Sequence, residues 1–430
     1  MVRTALIVVS AWSLALGAQA QTLSLADAQR RAVERSRLLV AQDSAVASSR
    51  EMAVAAGQLP DPVLRFGVDN LPVNGPDQFS VARDFMTMRR IGVMQEFTRD
   101  EKRQLRGQRF EREAEKSLAE KAAAVAAIQR DTALAWLDRY FAEAMAAVIA
   151  EQSIQVGQEI AAAESAYRAG RGNQADVFAA HSTLVGLEDR ASEFNRRVRT
   201  AKIGLARWVG DGADAPLAGR PAMDSIRLDT DRLDAELAHH PQIAILSKQE
   251  EIASTEVKLA QANKKSDWGV EAIYQQRGPS FSNMVSIGVS IPLQWDQKSR
   301  QDRELAAKLA MVEQASAQRE EALRAHVGEV RAMIAEWKNG RERVLRYERE
   351  LIPLAGERAR AALAAYQGGK SSLTDLLLAR RNETDARMQA VQLEMETARL
   401  WAQLNFLKPD TFGTTSVPAH SSTNQTREAK

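Results

Sequence analysis

The sequence contains no cysteine. That excludes disulfides, thiolate metal sites and a lipid anchor on a cysteine after the N-terminal apolar run. Aromatic residues are scarce at 5%, and only 12 of 430 residues are proline. Set against an abundance of Ala, Glu, Arg, Gln and Leu, this poverty suits long helices better than a series of globular domains. No sign of charge dominates, since 58 Lys and Arg nearly cancel 56 Asp and Glu. The balance offers nucleic acid no surface and reads as the solvated faces of helices. Long apolar runs are also missing. Beyond the first twenty residues none reaches the roughly 18 that a transmembrane helix needs. If this chain crosses a membrane, it must do so as β-strands.

The first twenty residues have the form of an export signal. Arg3 gives a positive start, Ala5 to Leu16 an apolar run, and Ala18-Gln19-Ala20 a small-x-small cleavage site. Residues 1–20 are therefore expected to be removed, leaving Gln21 first.

Beyond Gln21 one pattern occurs twice. Helix-like sequence from Leu25 to Gln58 stops at Pro60 and Pro62. Leu64, Phe66 and Val68 then alternate with Arg65, Gly67 and Asp69, which predicts a strand with one apolar face. A loop rich in turn formers leads to a second strand in "RIGVMQEF", with Ile91 and Val93 on one face. No proline interrupts the chain from Arg99 to Ala169, and Leu134, Leu137, Phe141, Met145 and Val148 form a helical stripe. The cluster Gly170-Arg171-Gly172-Asn173 ends it, and a shorter helix runs from Ala175 to Val209.

The order then returns. A helix is expected from Leu233 to Ala262, then strands in "WGVEAIYQ" and "MVSIGVSI", the latter with Val285, Ile287, Val289 and Ile291 on one face. A long helix follows from Arg300 to Gln367, carrying Leu323, Val327, Val330, Ile334 and Trp337 in coiled-coil rhythm, with a local kink expected at Pro353. After another glycine break comes a helix from Leu373 to Leu407. The reading divides the chain into a first repeat at 21–209, a connector at 210–231, a second repeat at 232–408 and a polar, disordered tail at 409–430.

Lengths constrain the architecture. A helix of about seventy residues is about 105 Å long, so such helices must pack on one another. The fold class expected is mainly α with a small β part: a long antiparallel bundle, strands at one end and two glycine turns at the other. Four strands with an apolar outer face leave two open edges, which a bilayer does not tolerate. A closed barrel needs about eight strands or more, so several chains must share one, and three chains would supply about twelve strands.

The two turns are near copies. Tyr167, Gly170 and Asp176 in "AYRAGRGNQADVF" recur as Tyr366, Gly369 and Asp375 in "AYQGGKSSLTDLL". With its double helix–hairpin–long helix–turn–helix plan and its Tyr366-x-x-Gly369 followed by "SLTDLL", the chain resembles the TolC family of outer-membrane efflux ducts. "LPDPVLRFGVDNLPVNG" followed by Met86, Met88 and Gln95 is similar to that family's heavy-metal branch, the copper/silver and cobalt/zinc/cadmium types.

The resemblance implies a homotrimer in outer-membrane lipid, with a twelve-stranded barrel and a periplasmic helical tunnel. It further implies docking on a periplasmic adaptor and an inner-membrane pump of the resistance-nodulation-division type. The duct would be passive and would use no cofactor. In the family the tip tyrosine helps hold the entrance closed and acidic residues beyond the turn ring the pore; Tyr366 and Asp375 match those positions. Tyr167, Gly170, Asp176, Gly369 and Lys370 complete the expected tip. Ser371 stands where a basic gating residue is found in the family, and Leu378 where a second acidic ring lies. Lys370, Arg168 or Arg171 are therefore expected to serve the closed state instead. Helix-end packing would explain the tyrosines and left-handed caps the glycines, but neither accounts for the aspartates.

Other motifs point to no chemistry. "GGKSS" at Gly368–Ser372 lacks the glycine a phosphate loop needs at the position of Ala364, and a helix precedes it where the motif requires a strand. His239 and His240, adjacent on a helix, would point about 100° apart with no third ligand nearby. Neither a Gly-x-Ser-x-Gly nor a His-Glu-x-x-His motif occurs, so no enzyme is expected. Met86 and Met88 would share one side of a strand, where their thioethers suit Cu(I); the competing reading is apolar packing. Trp136, Trp337 and Trp401 read as packing residues, and Trp268 and Trp295 as an interfacial belt around the second hairpin. Two other functions remain open: a duct for drugs or type I protein secretion, and a periplasmic coiled-coil adaptor. The adaptor would have no use for amphipathic strands.

Overall fold

The computed structural model describes residues 22–170 and 173–410. The stretch read as an export signal, Arg171 and all but the first two residues of the expected tail at 409–430 lie outside the described residues. Two helices, α1 (Leu25–Arg35) and α2 (Arg37–Ala56), open the described chain. The sequence pattern predicts a single helix here, but Ser36 is extended (φ −69°, ψ 113°) and parts them. The break lets α1 stay docked at the waist of the molecule while α2 follows the long helix. Leu25 and Ala28 of α1 join the waist core, and the guanidinium ends of its Arg31 and Arg35 lie against Gly212 and Gly210.

Strands β1 (Val63–Asp69) and β2 (Met88–Phe97) form an antiparallel hairpin. Two residues later α3 (Asp100–Arg168) begins, 69 residues long, or about 100 Å at the α-helical rise. Its stripe is buried at Leu137, Phe141 and Met145 and half-buried at Leu134 and Val148. The returning α4 (Gln174–Val209) packs along α3. The connector contains two 3-10 turns, at residues 210–214 and 230–232, and a parallel bridge between Leu23 and Leu217.

The second half begins with α5 (Leu233–Ala238) and α6 (Pro241–Asn263), again two helices where one was expected. Proline disfavours helix at the residue before it, so His240 is extended (φ −62°, ψ 140°) and Pro241 starts the new helix. Strands β3 (Trp268–Gln276) and β4 (Met284–Ser290) follow. The long helix is α7 (Gln301–Arg346), a π turn at Tyr347–Leu351, and α8 (Ile352–Gln367). The irregularity expected from Pro353 takes this form because proline lacks an N–H and its ring crowds the carbonyl one turn back; the widened turn relieves both. The last helix is α9 (Leu373–Asn405).

The sheet runs β1-β2-β3-β4, every pair antiparallel. Register aligns Phe66, Ile91, Tyr274 and Val285 in one row, and Leu64, Val93, Ala272 and Ile287 in the next. These rows form an apolar face open to the surroundings; Phe66 is 80% exposed and Ile287 77%. The other face is polar: Arg65 pairs with Glu271 at 3.1 Å and Arg90 with Asp69 at 3.4 Å. Among the described residues the outer edges of β1 and β4 have no partner strand. At the root of the sheet Asp267 ties the halves together, accepting from the Arg99 N–H at 2.9 Å and from Lys102 Nζ at 2.8 Å. Trp268 stacks on Phe97 there with centroids 4.5 Å apart, while Trp295 is exposed.

The main core lies at the waist, around Trp136, Phe141, Leu205, Leu237, Val330 and Trp337. Two indoles there donate to connector or N-terminal carbonyls: Trp136 to Leu23 at 3.0 Å and Trp401 to Ser225 at 2.9 Å. A second cluster, with Val156, Ile160, Leu187, Leu373 and Leu376, lies near the glycine turns. Among the described residues no helix is long and apolar enough to cross a membrane.

Candidate functional site at the helical tips

The two turns are built on one plan. Gly170 and Gly369 both have φ +69°, the left-handed region that costs other residues about 1 kcal/mol or more. A Cβ would meet nothing within 4 Å at either glycine, so backbone conformation and not space calls for them. In the second turn the Gly369 N–H donates to Tyr366 O at 3.0 Å and the Lys370 N–H to Ala365 O at 2.8 Å. These two bonds satisfy carbonyls left over at the end of α8, the pattern of a Schellman cap.

The aspartates also have a local reason, contrary to the expectation from sequence. Asp176 and Asp375 each occupy the third position of the outgoing helix. The Asp176 N–H donates to Asn173 Oδ1 at 3.0 Å, and the Asp375 N–H to Ser372 Oγ at 3.1 Å. Asp375 answers by accepting from the Ser372 hydroxyl at 2.7 Å and its N–H at 3.2 Å, a complete capping box. The Ser372 hydroxyl, followed by its N–H, holds the Asp375 carboxyl below the usual range. Serine at 372 three residues before Asp375 was the sequence signal for this.

The tyrosines are not equivalent. Tyr167 is exposed, whereas Tyr366 is half-buried against the apolar cluster of the tip. Burial raises its hydroxyl pKa, and the nearby charges of Asp176 and Glu159 add to the effect. Tyr366 of the second half thus lies within electrostatic reach of carboxylates of the first. Arg168 and Lys370 are exposed and enter no ion pair among the described residues. Ser371 only donates to the Ser372 carbonyl at 3.3 Å, and Leu378 is exposed. Leu377 and Leu378 line a groove between α4 and α9 together with Thr183, Gly186, Arg190 and Arg381.

At the other end, Met88 opens β2 but Met86 lies in the loop before it, so the two do not share a strand. Strand alternation puts Met94 and Met284 on the polar face, two methionines that no sequence motif singles out; the Met94 sulfur lies 2.9 Å from Arg65 Nη2. Gln95 holds the Pro60 carbonyl at 2.8 Å. Among the described residues no three His, Cys, Asp or Glu side chains are grouped to hold a metal ion. His240 is buried and packs against His326, the rings tilted by 46° with centroids 4.3 Å apart, a partner distant in sequence. Its Nδ1 caps α6 by accepting from the Gln242 N–H at 3.3 Å.

The fold is shared with solved outer-membrane channels. The outer membrane protein VceC of Vibrio cholerae is 20% identical over 89% of this chain and 95% of its own, with a TM-score of 0.71. CusC, solved in a study of folding and transmembrane channel formation, is 15% identical over 90% and 92%, at 0.76. The open state of the Neisseria gonorrhoeae MtrE outer membrane channel is 15% identical over 90% of each chain, at 0.70. No curated protein sequence matches the chain. Its second half, residues 233–407, matches the family described as outer membrane efflux protein.

Proposed function

We propose that this protein is the outer-membrane duct of a tripartite efflux system. Three copies would join their four-stranded sheets into one barrel and their helices into a periplasmic tunnel, open at the far end to an adaptor and an inner-membrane pump. One observation carries this reading: an unclosed sheet with an apolar outer face stands at the opposite end of a helical body from two matched turns. An unclosed sheet cannot sit in a bilayer, because its edge N–H and C=O groups would lack partners. Closing the barrel with further copies satisfies the edges and brings six tips together in one ring. The family match over residues 233–407 and the fold shared with outer-membrane channels support the same reading.

The cargo we propose is heavy-metal cations, on the resemblance around Met86, Met88 and Gln95, with a pump of the resistance-nodulation-division type. A conduit must release what it carries, so no tight metal site is required of it. At the tips, Tyr366 would help hold the entrance closed and Asp375 would face the passing cations. Deleting the gene tests the cargo: growth should become sensitive to copper, silver, cobalt, zinc or cadmium. Unchanged metal tolerance with lost resistance to bile salts or dyes would move the protein to drug efflux. Fractionation tests the location, and recovery as a soluble periplasmic protein would overturn the duct.

A further inference from the structure

Alternation along the four strands puts Arg89 on the exposed apolar face, with Phe66, Ile91 and Tyr274. It is the only charged residue of the described strands that points this way. Arg65, Asp69, Arg90, Glu96 and Glu271 all alternate to the polar face. Register sets Arg89 between Val68 and Gln276, in the last row before the hairpin loops, whereas Phe97 and Trp268 close the face at the end nearest the helices. From Trp268 to Gln276 is about 27 Å of strand, or roughly 20 Å of depth at the usual tilt of a membrane barrel. Arg89 therefore stands where an apolar band of that height meets lipid headgroups, on the side away from the helical body.

The protein supplies this guanidinium with no counter-charge. Arg89 Nη2 donates to the Arg277 carbonyl at 3.2 Å, and Nε is buried without a partner. Nη1 makes no hydrogen bond among the described residues, and no acid there pairs with Arg89. The charged neighbours are committed elsewhere. Arg90 pairs with Asp69 and Arg83 with Asp77, each at 3.4 Å. Asp84 accepts from the N–H groups of Met86 at 2.8 Å and Thr87 at 3.1 Å. Arg277 Nε donates to the Phe85 carbonyl at 3.0 Å.

A long basic side chain is tolerated at the edge of a bilayer because its head can reach water. Arg89 is not loose in that way: the Arg277 carbonyl fixes its guanidinium and leaves one terminal nitrogen open. A fixed planar fork without an acid partner suits a phosphate group, whose oxygens accept charge-assisted hydrogen bonds from it. Gln276, directly across the strand pair and exposed, adds an amide donor. The wall below is apolar, so the molecule that brings the phosphate to it is one with acyl chains. Both neighbours of β2 belong to the same chain, so joining further copies at β1 and β4 leaves this place open to lipid.

We propose that Arg89 and Gln276 bind the phosphate of a phosphorylated membrane lipid whose acyl chains lie on Phe66, Ile91 and Tyr274. This rests on the duct reading for the membrane in which the sheet sits, but its test uses binding alone. Native mass spectrometry of the detergent-purified oligomer counts the lipids that stay bound. Phosphatidic acid, with its phosphate bare, should be retained about tenfold better than phosphatidylcholine with the same acyl chains, the scale of one charge-assisted hydrogen bond. Arg89→Gln should abolish that preference; Arg83→Gln, which alters an arginine already paired with Asp77, should keep it. Equal retention of the two lipids by the wild type, a comparison that needs no variant, would overturn the site, as would a preference that survives Arg89→Gln. Inorganic phosphate that displaces phosphatidic acid at equal concentration would make this a free-anion site and overturn the lipid. A pore-forming oligomer that retains both lipids alike would leave the duct standing and overturn the site. Selective retention by a protein that forms no pore would keep the site and overturn the duct.

Discussion

Asp375 and Ser372 hold each other at the start of α9: the hydroxyl lies 2.7 Å from the carboxylate and accepts from the Asp375 N–H at 3.1 Å. A cap of this kind and a pore-facing charge make different demands on the same residue. Ser372→Ala should cost about 1 kcal/mol of stability through the lost cap. Asp375→Asn keeps an acceptor but removes three negative charges from a trimer's ring. It should therefore lower cation selectivity in planar bilayers with little change in thermal stability. A lower melting temperature with unaltered selectivity would assign Asp375 to the cap alone.

Tyr366 and Tyr167 should part company on mutation. The Tyr366 hydroxyl lies in the field of Asp176 and Glu159, whereas Tyr167 is exposed; neither hydroxyl makes a hydrogen bond among the described residues. Tyr366→Phe should remove the hydroxyl that lies in that field and raise the conductance of the closed pore. Tyr167→Phe should leave it unchanged. Equal effects from the two would show that position in the repeat, and not the nearby carboxylates, decides the role.

How much was legible in the sequence depends on the range of each interaction. The strands were readable because Leu64, Phe66 and Val68 alternate within a few residues, and the turns because glycine and the helix-start aspartate recur at one spacing. Pro241 announced the break before α6 but was masked by the helical pattern around it. Ser36 carries no comparable signal; its extended backbone answers to α1 docking on the waist, a tertiary demand. The ion pair of Arg380 with Glu159, 3.1 Å long, was invisible for the same reason. Glu159 and Arg380 look like ordinary charges on a solvated helix face, and only the packing of α3 on α9 buries them. His240 reads as half of an adjacent pair, yet its real partner, His326, lies on a different helix.

The sheet makes its own prediction. Ile287 is on the exposed apolar face and Ser286 on the polar one. If three sheets close around a lumen, Ile287→Arg should cost about 2–4 kcal/mol near the bilayer midplane and reduce the amount of assembled oligomer in the membrane. Ser286→Arg should assemble normally. Equal tolerance of both would mean that the apolar face does not meet lipid.

The last prediction concerns pH and the waist. His240 is buried beside His326, and burial together with that neighbour lowers its pKa from the ordinary 6.5 to about 4. Lys408 and Arg130 act in the same direction, while the Leu407 carbonyl opposes them. Burial also lowers His326. A histidine with a depressed folded pKa favours the folded state while it is neutral. Its contribution is therefore whole above pH 6.5, falls away as the pH drops toward about 4, and is gone below that. The window is distinct from that of Asp375, whose lowered pKa makes its contribution fail only at more acid pH. His240→Asn separates the cap from the titration, because asparagine can still accept from the Gln242 N–H but carries no proton to gain. The melting temperature of the wild type should fall more steeply than that of the variant between pH 6.5 and 4. At neutral pH the variant should start lower, since it loses the ring packed against His326. Parallel profiles across that window would mean that His240 is charged in the folded protein and that the waist is not the acid-sensitive part of the helical body.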